Sequence, residues 1–324
     1  MVDFKDIEAA AKRLAPVTVE TPLLRSSALD EIAGGTVYIK PENLQVTGSF
    51  KFRGAYNMLS QLTADEAKHG VVAFSSGNHA QAVAASGTML GIDTTIVMPE
   101  DAPAIKIENT RRLGGKAVLY DRYSEDREAI AREIAAETGS VVVPAFDHER
   151  IIAGQGTVGL ELMRQCADFG VTPDQVLVSC SGGGLISGTA LAVKTMSPET
   201  SVYPVEPEDF DDTARSLISG ERETNDPGAR SICDALQTER PGKLTFAINR
   251  KLLGAGLVVS DGEVKEAMRF AFRHLKLVVE PGGAVALAAV LSGKIDTRDK
   301  LTVIVLSGGN VDAEMFAAIQ KEQS

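Results

Sequence analysis

Cysteine is scarce in this chain: three residues in 324, at Cys166, Cys180 and Cys233. An odd number of widely spaced thiols builds neither a disulfide framework nor a zinc pattern, and it suits a reducing cytoplasm. Cys180 ends an apolar, strand-like run, which assigns it to buried packing. No apolar stretch approaches the ~20 residues that a bilayer crossing needs. The first residues, Met1-Val2-Asp3-Phe4-Lys5-Asp6, offer neither a basic n-region nor an apolar h-region, so no secretory signal is visible. Positive charge is also short. Lys and Arg number 33 against 44 Asp and Glu, a net charge of −11 with a pI of about 5.0. That balance argues against nucleic acid and anionic membrane as partners. No internal repeat of about 20–50 residues is present. Of the few histidines, His69, His148 and His274 lack ligand or triad partners in the sequence and read as surface or structural residues.

What remains is 44% hydrophobic and 24% charged, the composition of a globular enzyme. Short β-branched runs alternate with helical patterns. Strands are expected at 37–40, 71–74, 94–98, 116–120, 141–143, 176–179, 202–205, 257–259 and 301–306. Helices are expected at 80–90, 104–113, 125–138, 152–167, 185–196, 261–275 and 281–292. Near-continuous apolar strands between helices predict an α/β fold of parallel sheets covered on both faces. The Pro-, Gly- and charge-rich stretch 219–243 reads as a surface loop. No long linker is visible, so two domains would have to interleave.

Four segments carry chemistry. In Ser49-Phe50-Lys51-Phe52-Arg53-Gly54-Ala55 a lysine follows a Gly-Ser turn and opens a helical run. Ser75-Ser76-Gly77-Asn78-His79 and Ser181-Gly182-Gly183-Gly184-Leu185 each join a strand to a helix, and Ser307-Gly308-Gly309-Asn310 closes the last strand. Backbone N–H groups at such a helix start collect an anion, and glycine lets the backbone approach a phosphate closely. Ser and Asn at a helix N-terminus serve as caps or as a carboxylate site. A lone lysine is ordinarily a surface residue. A lysine with a glycine-rich anion cradle suggests a phosphate-bearing aldehyde held as a Schiff base. The Ser181 loop also approaches the dinucleotide pattern, with Gly182 and Gly184 in place, Ser187 at the third glycine position and Glu206 about 20 residues on as a ribose-binding acid. A nicotinamide oxidoreductase is therefore the rival from another class.

These residues resemble the fold-type II pyridoxal-phosphate enzymes of the threonine/serine dehydratase and serine racemase family, which includes 3-hydroxyaspartate dehydratases. The resemblance runs from Thr21 to Asp312. It rests on Lys40-Pro41-Glu42-Asn43-Leu44-Gln45, on Gly48 to Ala55, on Ser75 to Gln81, on Ala153-Gly154-Gln155-Gly156-Thr157, on Ser181 to Leu185 and on Ser307 to Asn310. It implies a tryptophan synthase β-like architecture: two open, twisted, mainly parallel sheets flanked by helices. A large cofactor-binding domain (1–69 and 148–324) would hold a small inserted one (70–147), with no regulatory domain after it. Pyridoxal 5'-phosphate would be carried by Lys51, packed by Phe50, bonded at its 3-oxygen by Asn78, cradled at its phosphate by Ser181, Gly182, Gly183, Gly184 and Leu185, and faced at its pyridine nitrogen by Ser307. A neutral hydroxyl there weakens the electron sink and favours elimination over transamination. Ser75, Ser76, Asn78, His79 and Arg127 would meet the substrate, with Lys51 the base at Cα and Ser76 a second proton relay.

The implied reaction is β-elimination from a small 3-hydroxy amino acid, with L-threonine, L-serine and 3-hydroxyaspartate as candidates, giving a 2-oxo acid and ammonia. A racemase on the same scaffold is the nearest alternative. The acidic run Glu206-Pro207-Glu208-Asp209-Phe210-Asp211-Asp212 reads on its own either as a solvated turn or as a site. The resemblance places a divalent cation there, Mg²⁺, Mn²⁺ or Ca²⁺, on the carboxylates of Glu206 and Asp212 and the carbonyl of Phe210; oxygen-only ligands suit such hard ions. Arg127 reads on its face as a helix-surface charge. The protein is expected to be a cytoplasmic homodimer.

Overall fold

The computed structural model describes residues 2–102 and 104–322, so the domain limits at 1 and 324 lie outside the described residues. The strands are β1 (Leu24–Arg25), β2 (Thr36–Pro41), β3 (Val71–Phe74), β4 (Thr94–Pro99), β5 (Lys116–Tyr120), β6 (Val141–Val142), β7 (Gln175–Ser179), β8 (Ser201–Pro207), β9 (Leu257–Val259) and β10 (Leu301–Leu306). The helices are α1 (Phe4–Leu14), α2 (Ser27–Ala33), α3 (Lys51–Leu59), α4 (Ala64–His69), α5 (Asn78–Leu90), α6 (Ala104–Arg112), α7 (Arg127–Thr138), α8 (Glu149–Asp168), α9 (Gly184–Met196), α10 (Asp212–Ser219), α11 (Lys243–Leu252), α12 (Asp261–Phe270), α13 (Pro281–Leu291) and α14 (Ala313–Lys321). Two sheets result. One has the order β1-β2-β10-β7-β8-β9 and the other β5-β4-β3-β6. Every pairing is parallel except β1 against β2.

The apolar strands are buried because helices cover them. Sequence Pro-Gly-Gly-Ala-Val-Ala-Leu-Ala-Ala-Val-Leu makes α13 apolar all round, and its first ten residues are buried between the larger sheet and α12. Proline at its first position lacks only an N–H that the helix could not use. On the other face α8 and α9 cross closely. A Cβ added to Gly188 would stand 2.7 Å from the Cα of Gly156, so only glycine admits this backbone approach. The crossing stacks α8 behind α3 and fixes where the first turn of α3 sits. The chain leaves β2, β7 and β10 at their C-terminal ends, and β3 of the second sheet, into the four chemistry-bearing segments. Ligands gather at this end of open α/β sheets.

Two expectations change. The helix expected over 261–275 is α-helical only to Phe270, and residues 271–275 form a π turn ending at Lys276 with φ 60°. Such a turn adds a residue to the helical repeat. The stretch 219–243 is more than a surface loop: Cys233 and Leu236 are buried, and residues 234–243 form a wall of the main cavity. Cys180 is buried as expected. His69 bonds the Asp65 carbonyl, His148 accepts the Arg150 amide to cap α8, and His274 stacks on Phe270, all structural roles. Among the described residues no helix is long and apolar enough to cross a membrane.

Candidate active site

A cavity of 820 Å³ opens between the two sheets' C-terminal ends. It brings together Phe50, Lys51, Ser75 to His79, Arg127, Ser181 to Leu185 and Ser307, separated by hundreds of residues in sequence.

Lys51 is the first residue of α3, after a turn in which Gly48 takes φ 74°. That turn is zipped to the end of β10: the Phe50 amide donates to the Ser307 carbonyl (3.1 Å) and the Gly309 amide to the Gly48 carbonyl (2.9 Å). Lys51 Nζ donates to the Ala145 carbonyl (2.9 Å) and lies 5.3 Å from the centroid of the Phe50 ring. Burial lowers its pKa to about 8, against the opposing pull of Glu280. A lysine so placed is free amine for a useful fraction of the time near neutrality, as a nucleophile or base requires.

The Ser75 loop leads from β3 into α5. Asn78 Nδ2 donates to Glu280 Oε1 (2.6 Å), and Asn78 Oδ1 accepts from Asn310 Nδ2 (2.7 Å). These bonds fix which end of the amide faces which way. His79 is buried with Nε2 against the Val143 carbonyl (3.0 Å). Burial and then the Lys51 charge lower its pKa to about 3, so the ring stays neutral and positions rather than donates protons. Ser75 Oγ accepts the Gly77 amide (3.2 Å). Ser76 lines the cavity and makes no hydrogen bond to the described residues. Arg127 opens α7, with its guanidinium 5.8 Å from the centroid of the Phe74 ring. It is exposed at the cavity and forms no ion pair among the described residues, unlike Lys106, whose Nζ reaches Asp234 across the cavity (2.6 Å).

The cradle opens α9. Gly183 has φ 95°, and a Cβ there would meet Asn249 Nδ2 at 2.8 Å, so glycine is required twice over. Phe146 lies against Gly182 and Gly184. Ser181 Oγ bonds Thr238 Oγ1 (2.7 Å), and Thr245 Oγ1 donates to the Gly182 carbonyl (2.6 Å). Asp147 accepts the amides of Lys243, Leu244 and Thr245 at the start of α11, which ties the Ala145–Asp147 segment to the same wall.

Glu280 has no counterpart in the sequence reading. It is buried at the N-cap of α13 and packs against Gly308; burial, with Asp234 adding to it, raises its pKa to about 8. An acid before Pro-Gly reads locally as an ordinary helix start, and nothing near it in sequence points to Asn78. The Ala145–Asp147 and Thr238–Thr245 segments were likewise unmarked.

Glu206 and Asp212 are both fully buried. Glu206 accepts the amides of Thr213 (3.1 Å) and Ala214 (2.8 Å), and Asp212 Oδ1 accepts from Asn225 Nδ2 (2.6 Å). Asp212 Oδ2 is buried with no partner. Burial and the neighbouring Asp212 push Glu206 well above the carboxylate range, and burial brings Asp212 up to about 6. Among the described residues no group of three or more His, Cys, Asp and Glu side chains gathers to hold a metal ion. This position has two carboxylates. Each Glu206 oxygen accepts one α10 amide and keeps a lone pair for a further partner.

A cavity lysine of lowered pKa, set beside a glycine-built anion cradle, defines a site for a phosphate-bearing aldehyde. Residues 14–308 match the family described as pyridoxal-phosphate dependent enzyme. An L-threo-3-hydroxyaspartate ammonia-lyase of Pseudomonas sp. is 45% identical over 98% of both chains. An L-threonine ammonia-lyase of Thermotoga maritima is 42% identical over 98% of this chain and 78% of its own. The structure of maize serine racemase superposes with a TM-score of 0.92 at 37% identity, covering 98% of this chain and 96% of that one. The chain belongs to the pyridoxal-phosphate-dependent enzymes, in the fold-type II group. The nicotinamide reading is thereby set aside.

Proposed function

We propose that the protein is a pyridoxal-phosphate-dependent ammonia-lyase that eliminates water from small 3-hydroxy amino acids, and that Arg127 favours a substrate with a second carboxylate, 3-hydroxyaspartate over L-threonine and L-serine. The observation that carries the reaction is Lys51, held in the cavity with a lowered pKa beside the Ser181 to Leu185 cradle. The relatives' ammonia-lyase names support it. The residues present fit the cofactor: a Cβ on Gly182 or Gly183 would press into Phe146 or Asn249, one on Gly184 would be tight against Phe146, and this bare backbone opens α9, where a phosphate is stabilised. The division into a small part (70–147) within a larger one is supported by the strands, because β3 to β6 form one sheet and the others the second.

When bound, the cofactor supplies a sink for the electron pair left at the substrate Cα. The chain's own residues do the rest. Lys51 Nζ takes the Cα proton, as a neutral amine can. Phe50 and Asn78 would hold the cofactor's ring and 3-oxygen, with Glu280 and Asn310 orienting the Asn78 amide. Ser307, which lines the cavity, would offer the pyridine nitrogen a hydroxyl rather than a charge. The start of α5, with Ser75, Ser76, Asn78 and the neutral His79, receives the substrate carboxylate. Loss of the β-hydroxyl as water, followed by uptake of water, yields the 2-oxo acid and ammonia.

Arg127 is a cation at the cavity without an ion-pair partner among the described residues, which makes it available to a second carboxylate. Its exposure means solvent screens it, so the expected effect is moderate. Arg127→Ala is expected to lower kcat/KM for 3-hydroxyaspartate by about 10- to 100-fold and to leave L-threonine within about 3-fold. A parallel fall for both substrates, or none, refutes the selection. The test is a panel of hydroxy amino acids with ammonia and 2-oxo acid measured.

Ser76 lines the cavity with a hydroxyl that bonds none of the described residues, and the serine racemase likeness suggests a racemisation side activity. Racemisation needs a proton donor on each face of Cα, whereas elimination needs one base. Ser76→Ala should depress any racemisation of L-serine by about 10²-fold while elimination falls far less. Equal losses would assign Ser76 to binding alone.

We also infer a divalent cation at Glu206, Asp212 and the Phe210 carbonyl. Two buried carboxyl groups side by side, one carrying an orphaned oxygen and neither paired with lysine or arginine among the described residues, support that reading, since a hard cation would relieve the cost of ionising both.

A further inference from the structure

We propose that Glu280 is a positioning residue for the cofactor that works through Asn78 and takes up a proton as the cofactor binds, so that the Asn78 amide meets the cofactor's 3-oxygen with no opposing charge behind it. The inference rests on the placement of Asn78 at the 3-oxygen proposed above and adds the state of the group that holds it.

Glu280 is 3% exposed and lines the cavity. Its two oxygens differ. Oε1 accepts from Asn78 Nδ2 (2.6 Å) and lies over Gly308, where a Cβ would overlap it. Oε2 makes no hydrogen bond to the described residues. The Glu280 N–H donates to the Gly308 carbonyl (3.1 Å), which fixes this residue beside Ser307. The carboxyl therefore sits between the residue offered to the 3-oxygen and the residue offered to the pyridine nitrogen. Among the described residues no lysine or arginine forms an ion pair with it; Lys106 is held by Asp234 instead (2.6 Å). Burial, then Asp234 of the 234–236 turn, raise its pKa to about 8 against the Asn78 bond, Lys106 of α6 and Lys51 of α3. The neighbouring Cys233 thiol is pushed by burial up to about 12 and stays neutral.

Binding shifts this balance from both sides. The cofactor's 3-oxygen carries negative charge and would lie one amide away from Glu280. Lys51, one of the two cations acting on Glu280, is then committed to the cofactor's aldehyde, and its charge is met by that same oxygen. Glu280 gains a like charge and loses an opposite one, and each change disfavours its carboxylate. The neutral acid keeps what Asn78 needs. Its Oε1 still accepts from Nδ2, and the proton, drawn from solvent, sits on Oε2, the oxygen that no described residue bonds. Binding thus raises the Glu280 value above the free-site value of about 8. The gain in affinity is fully present below about pH 8 and is lost as pH rises through the bound-site value. Each pH unit between the two values costs up to about tenfold in affinity.

The test dialyses the holoenzyme to equilibrium against graded pyridoxal 5'-phosphate between about pH 7.5 and pH 9.5 and reads bound cofactor from its visible absorbance. Glu280→Gln mimics the neutral acid, and Lys51 titrates in both proteins, so the comparison isolates Glu280. The parent's dissociation constant is expected to rise about 10-fold more than the variant's over that range. At about pH 7.5 Glu280→Gln should bind within about 3-fold of the parent, whereas Glu280→Ala, which leaves Asn78 without its acceptor, should bind about 10-fold more weakly. Adding cofactor to the parent at about pH 8.5 should also bring up the carbonyl stretch of a protonated carboxyl in the infrared difference spectrum, a readout that needs no variant. Parallel pH profiles for parent and Glu280→Gln, no gained carboxyl band, or a Glu280→Gln protein as weak as Glu280→Ala would overturn the inference. Asn78→Ala keeps the two readings apart. If it leaves the affinity and absorbance maximum unchanged, the placement of Asn78 falls and the proton inference with it. If it weakens binding while parent and Glu280→Gln share one pH profile, only the proton inference falls.

Discussion

Lys51→Ala is expected to abolish ammonia release, by ~10⁴-fold or more, since a positioned general base alone contributes about 10²- to 10⁴-fold and the covalent attachment is lost as well. The fold should survive. Lys51 is a half-buried amine in the cavity, and desolvation puts its pKa at about 8, below its ordinary 10.5. A lysine depressed in this sense costs stability wherever it is charged in the fold. The cost is fully present below about pH 8 and fades as pH rises towards 10.5. Removing it should therefore leave the melting temperature of the cofactor-free protein at pH 7 unchanged or raised. The variant should also lose the visible absorbance that borohydride bleaches in the parent. Ammonia release within about 10-fold of the parent would overturn the assignment of Lys51 as the base.

Two residues on, Arg53 should matter for stability instead. Its guanidinium is fully buried and forks onto two carboxylates: Nε and Nη2 donate to Glu42 (2.7 and 2.8 Å), and Nη1 and Nη2 donate to Glu161 (2.6 and 2.8 Å). Lys40 Nζ completes the cluster on Glu161 (2.9 Å). This network ties α3 to α8 directly behind Lys51. Arg53→Ala strands Glu42, which is 0% exposed. Breaking one partner of a buried pair costs about 3–5 kcal/mol, a fall in Tm on the order of 10 °C. Arg53→Lys should rescue little, because an ammonium cannot make two parallel forks. Burial alone pushes the Glu42 carboxyl up, but Arg53 pulls it further down, to below its ordinary 4.5. The Glu42 contribution is accordingly present above pH 4.5 and lost as pH falls through the lower folded value. A Tm for Arg53→Ala within about 2 °C of the parent at pH 7 would show that the cluster contributes little.

The pair Lys51 and Arg53 also shows how far the sequence could be read. Lys51 was legible because its neighbours, a Gly-Ser turn and three glycine- or serine-rich loops at strand ends, form local patterns with a chemical meaning. Arg53 had no such signal, because its partners Glu42, Thr157 and Glu161 lie on elements that meet it only after α3 packs on α8. The central strands were legible for the same local reason: parallel strands covered on both faces must be continuously apolar, as Val303-Ile304-Val305-Leu306 is. Strand β1 was not, since two residues carry no periodicity. Helix α1 was not expected from the sequence, although Asp3 and Asp6 form a capping box at its start.

The sequence by itself determined the α/β class, the family, and the lysine and glycine loop that line the cavity, because each depends on short-range chemistry: side-chain period, turn geometry and the need for a bare backbone near phosphate. Tertiary structure alone decided what surrounds them. Glu280 meets Asn78 across 202 residues, Ala145 supplies the carbonyl that receives Lys51, and Asn225 stands between Asp212 and Thr238. Hydrogen bonds of this kind are fixed by which strand ends the sheet order brings side by side, and nothing in the local residue pattern records that order. Burial decided the rest: the same carboxyl or amine that is ordinary in water becomes a Glu280 or a Lys51 with a pKa near 8 once packing removes the solvent around it.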